Sequence, residues 1–226
     1  MDLRELLISL SIPTLVFTGL YYGWRFLKLD NPLLGWEWVI LGVSAFSMWM
    51  NHFGLSPHFL AFSMFCDAFS RTVGMPIIAS LGLLQLTHGL VLSTRAKVAL
   101  FVGGAVVAAA CRLSPQIDEW LAIGSMVIGL GFYVVIFLFA RALYRRGLNG
   151  HAALVLFSSV PLTFIALLEG VIQLPGEEHN LILNFMFLAH LTWALVFGHW
   201  FYAYRALHLS EARQPAAQPE WRQSAA

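Results

Sequence analysis

The stretch 56-SPHFLAFSMFCDAFSRTVGMPIIASLGLLQLTHGLVLS-93 decides how this chain is read. It is apolar enough to enter a bilayer, yet as one helix it would reach roughly 55 Å against a hydrocarbon core of about 30 Å. Gly74 and Pro76 mark where it should break, because proline cannot donate to the helix ladder and biases the residue before it away from helix. Just before that point Asp67 and Arg71 stand four residues apart, opposite charges on one helical face. Ser63, Asp67, Ser70 and Arg71 form a polar stripe, and Phe59, Leu60, Phe62, Met64 and Phe69 cover most of the rest. The expectation is an amphipathic or broken helical segment over 57–73, followed by a membrane span over 75–93. Two placements are open for 57–73: flat in the interface, or half-inserted with its stripe facing a cavity, where irregular backbone is tolerated.

The rest of the chain has the same character. Of 226 residues, 59% are hydrophobic and 11% charged, against roughly 25% charged in soluble domains. Apolar runs of bilayer length exclude a β-barrel, whose strands would alternate and be half as long. The sequence therefore predicts an all-α membrane protein, a bundle of seven transmembrane helices over 6–27, 36–52, 75–93, 98–111, 120–143, 152–172 and 181–204. The first run lacks a small-residue cleavage site and reads as a retained helix. A net charge of +1 with no basic cluster points away from nucleic acid.

Lysine and arginine set the orientation. Arg25, Lys28, Arg95, Lys97, Arg141, Arg145, Arg146, Arg205, Arg213 and Arg222 follow spans one, three, five and seven, ten of the thirteen basic residues. Arg4, Arg71 and Arg112 fall on the other side, whose last loop carries Glu177 and Glu178. The positive-inside rule places the N-terminus outside and the C-terminus in the cytoplasm. Residues 1–209 are one transmembrane domain, and 210–226, rich in proline and alanine, reads as a disordered cytoplasmic tail. The excess of arginine over lysine hints at a GC-rich bacterial source, hence an inner (plasma) membrane.

Polar side chains at helical spacing show which spans share an interior. Ser11, Thr14, Thr18, Tyr21 and Arg25 align in the first span; Glu37, Ser44, Ser47 and Asn51 in the second. Ser158, Glu169 and Gln173 align in the sixth, and Asn184, Thr192 and His199 in the seventh. Spans four and five carry glycine and alanine instead and read as scaffold. Intramembrane charge is costly, so Asp67, Arg71 and Glu169 are the candidate charged site residues. Asn51, His52, Gln173 and Asn184 are their hydrogen-bonding neighbours on the outer side. Arg71 is the expected partner of Glu169, in competition with Asp67.

Several chemistries lack their residues. No HExxH or HxxxH spacing occurs, so no metal site is expected, and a cofactor is expected only in the form of haem held between His88 and His199. The late spans hold no lysine for a retinal Schiff base. Cys66 and Cys111 sit within or beside apolar segments and suggest no disulfide. The first reading is a small-solute transporter or solute-binding membrane protein with a polar cavity open to the outer side, its partners being the lipid bilayer and a small molecule. An integral membrane enzyme acting on a lipid or lipid-linked substrate is the alternative, and a membrane sensor or assembly subunit the third.

Overall fold

The structure is a computed structural model that describes residues 3–170 and 184–212, with the side chains of 4, 115–128 and 166–170 left aside. The described residues form seven helices: α1 (Leu3–Leu27), α2 (Pro32–His52), α3 (Pro57–Thr87), α4 (Thr94–Leu113), α5 (Pro115–Arg145), α6 (Asn149–Gly170) and α7 (Phe185–Ala212). Five of them, α1, α2, α3, α4 and α7, are long and apolar enough to cross a membrane, which is the architecture of a multi-pass membrane protein.

Helix starts precede the apolar runs because local chemistry sets them. Asn31 caps α2, its side chain accepting from Leu34 N at 3.1 Å, and Pro32 fills the first turn, where a missing N–H costs nothing. Ser56 and Pro57 repeat the device at α3, and Ser93 caps α4. Gly89, at φ +63°, stops the chain just after α3, so this helix ends at Thr87 and not at residue 93.

The break expected near Gly74 and Pro76 is absent. α3 runs through it as one helix of 31 residues, with its middle ten, Ser70–Ala79, wound as π-helix. The wider i→i+5 turn accommodates a proline that lacks an N–H and would crowd the carbonyl of a tighter α-turn. Segment 57–73 is thus not a separate arm but the first half of a helix that reaches roughly 46 Å at α-helical rise. Such a helix fits a bilayer of about 30 Å only by tilting or by extending past it.

Six helices close a ring in the order α1, α2, α3, α5, α6, α7, with α4 packed outside against α3 and α5. α1 and α2 approach through glycine: a Cβ on Gly19 would lie 2.8 Å from Gly42 Cα. Successive helices alternate in direction, so the turns after α1, α3 and α5 lie at one end, called here the basic end. There the interior is aromatic. Trp38 meets Phe197 at 4.7 Å between ring centroids, and Phe26 packs on Phe201 and Tyr204 at 5.2 Å. Phe132, Ile136, Phe139 and Leu143 of α5 are buried in the same core, so α5 is a core element and not mere scaffold, whereas α4 is peripheral. α7 stays helical through Ala212, so residues 210–212 belong to the bundle; 213–226 lie outside the described residues.

Candidate functional site

α2 and α3 pack antiparallel, and their seam carries three polar rungs. Nearest the basic end, Asn31 Nδ2 donates to Gly82 O at 2.7 Å and to Tyr204 Oη at 2.9 Å, tying α2, α3 and α7 together. Toward the far end, Ser44 Oγ donates to Ser63 O at 3.1 Å. Between them stands Glu37, 0% exposed.

Glu37 differs from the other two rungs because, among the described residues, neither of its carboxyl oxygens makes a hydrogen bond of good geometry; the Ser70 hydroxyl is near enough to interact with it. Its polar neighbour is Ser70, the first residue of the π-helical segment, whose buried hydroxyl makes no other hydrogen bond among the described residues. The carboxyl lies against Gly74, one turn further along. Both oxygens occupy the space that a Cβ on residue 74 would fill, so only glycine admits the acid here. Cys66, a buried free thiol, precedes Ser70 by four residues. A buried carboxylate without partners is costly in protein and more so in a bilayer. The chemistry open to it is to hold a proton, since a bound cation would need several oxygen ligands. Among the described residues no group of three His, Cys, Asp or Glu side chains could hold a metal ion.

The residues singled out from the sequence are spread across the bundle. Asp67 and Arg71 do pair, Oδ2 to Nη2 at 2.5 Å, within one turn of α3, and both side chains are about half exposed on the bundle surface. Asp67 falls between the Glu37 and Ser44 rungs, whereas Asn51 and His52 close α2 about two turns beyond Ser44, so these groups are not at one level. Asn51 is partly buried, and His52 is exposed with its ring beside Phe53. Asn184 is buried; its Oδ1 accepts from Phe187 N at 3.2 Å at the start of α7, and its Nδ2 has no partner among the described residues. Glu169 belongs to α6, but its side chain, like all of Gln173, lies outside the described residues. His88 ends α3 and is exposed, while His199 lies within α7, its buried Nδ1 without a partner.

Further buried polar groups lie toward the far end: Ser9 and Ser11 of α1, Ser47 of α2, and His190 and Thr192 of α7. Ser11 Oγ is 3.0 Å from His190 Nδ1, joining two helices that run in the same direction. His190 is 5% exposed and bonded, although it does not share the helical spacing of Asn184, Thr192 and His199.

Glu37 was visible as a member of the α2 stripe but not as a site. Counting the span from residue 36 put it at the membrane edge. The Asn31-Pro32 start signal was the cue that the helix begins more than a turn earlier and carries the acid inside. No protein-family model, no curated protein and no solved structure matches this chain.

Proposed function

We infer that this protein is a small-solute transporter or solute-binding membrane protein in which Glu37 takes up and releases a proton. Its seven helices cross the membrane with the basic end in the cytoplasm. The interior is sealed by aromatic side chains at that end and carries small polar side chains toward the other, an arrangement that fits access from the outer face. The observation that carries the reading is the Glu37 carboxyl, fully buried, without an ion-pair partner among the described residues, and fitted to Gly74 in the π-helical part of α3. A π-helical turn is a place where a helix can change register, and such turns recur at functional sites. Loss of the proton leaves a charge that the closed seam does not accommodate, so deprotonation favours a conformation in which α2 and α3 part enough to admit water. Protonation and solute access are thereby linked.

Proteoliposomes holding a pH-sensitive dye test this. Pools of small polar solutes, such as amino acids, sugars and short carboxylic acids, added outside should evoke proton movement with wild-type protein and none with Glu37→Gln. Solute-evoked proton movement that survives in Glu37→Gln removes Glu37 from the mechanism. The parallel replacement Glu169→Gln distinguishes a second proton-carrying acid on α6.

A further inference from the structure

At the basic end the last turns of α3, α5 and α7 diverge around a cleft of about 210 Å³. Its polar lining is Thr87 and His88 from α3, Arg141, Arg145 and Arg146 from α5, and Glu211 from α7. Positive-inside sorting explains why arginines are at this end, but not why the end of α5 lines one concavity with three of them. Their charge is largely unmatched. Arg146 Nη2 meets Glu211 Oε1 at 3.6 Å, and among the described residues neither Arg141 nor Arg145 has an acidic partner. The histidine is also oriented. Thr87 Oγ1 donates to Leu83 O at 3.1 Å and lies 2.8 Å from His88 Nδ1, which fixes the ring at the edge of the cleft.

We propose that this cleft binds a phosphate-bearing anion. Guanidinium groups engage phosphate oxygens through paired N–H donors, and basic pockets between transmembrane helices suit anionic headgroups. The volume is below the roughly 300–1,000 Å³ of drug-sized ligand sites, so it fits a headgroup or a free phosphate and not the bulk of a larger solute. Leu138, Ala142 and Leu207 complete the wall with apolar surface, as a lipid whose tails leave along the helices would require. The site does not depend on Glu37 or on transport.

Native mass spectrometry of the full chain in mild detergent reads it out, after exposure to phosphatidylglycerol, to phosphatidylcholine, or to inorganic phosphate. The wild type should retain phosphatidylglycerol several-fold over phosphatidylcholine. Arg141→Gln with Arg145→Gln should lower that retention about tenfold, the scale of one lost charge-assisted contact or more. Arg95→Gln, at the same end but outside the cleft, should leave it unchanged. Glu211→Gln releases Arg146 and should raise retention about two- to fivefold, a gain that a misfolded variant would not give. Displacement of the lipid by millimolar phosphate identifies the phosphate group itself as the ligand, and failure to displace it identifies the intact headgroup. Equal retention of the two lipids without phosphate binding overturns the proposal, as does an Arg95→Gln loss matching the double variant or an unchanged Glu211→Gln.

Discussion

Asp67 and Glu37 are two carboxyl groups within about two turns of each other along α3, and the bundle treats them in opposite ways. Asp67 is neutralised by Arg71 within its own helix turn, and the pair rests half exposed on the bundle surface. Glu37 comes from the neighbouring helix, is fully enclosed, and meets a glycine and a serine but, among the described residues, no base. A local ion pair settles its charge wherever its helix goes. An acid enclosed in a closed seam is costly as an anion, which is why the proposed mechanism assigns the coupling of protonation to conformation to Glu37.

The sharpest way to break this contrast is to crowd the acid. Gly74→Val should cost about 3 kcal/mol or more and Gly74→Ala about 1–3 kcal/mol by overpacking. Pairing Gly74→Ala with Glu37→Ala should recover part of the loss, as a coupling of about 0.5–3 kcal/mol in a double-mutant cycle of unfolding in detergent. Additive effects would mean that glycine and acid do not share the space. Next in size, Asn31→Ala should cost about 2 kcal/mol, because Gly82 O, Tyr204 Oη and Leu34 N all lose a buried partner. Tyr204→Phe should account for about 1 kcal/mol of that. The smallest effect is expected at the surface pair. Asp67→Asn combined with Arg71→Gln should change stability by less than about 1 kcal/mol and leave solute-evoked proton movement intact. A loss of that movement would shift the mechanism from Glu37 to the pair.

What was legible in the sequence follows from which forces are local. The all-helical class with several helices fit to cross a membrane, and the i,i+4 pairing of Asp67 with Arg71, depend on composition and spacing, and the described residues bear them out; of their seven helices, five are long and apolar enough to span. The course of α3 did not follow from spacing, because the cost of Pro76 depends on whether the helix can widen, and widening depends on what α2 presents to it. Gly74 illustrates the point: read alone it is a helix breaker, and packed against Glu37 it is the residue that makes room for a carboxyl. Likewise Asn51, His52 and Asp67 were grouped by counting residues from span ends. The hairpin register set by Ser44 and Ser63 separates them.

Infrared difference spectroscopy on the purified protein in lipid tests the central claim most directly. A protonated carboxyl in a dry site has a carbonyl stretch distinct from that of a carboxylate or an amide. The account predicts such a band in the wild type at neutral pH, absent in Glu37→Gln and unaffected by Asp67→Asn. A wild type without that band, or a band that persists in Glu37→Gln, would contradict it.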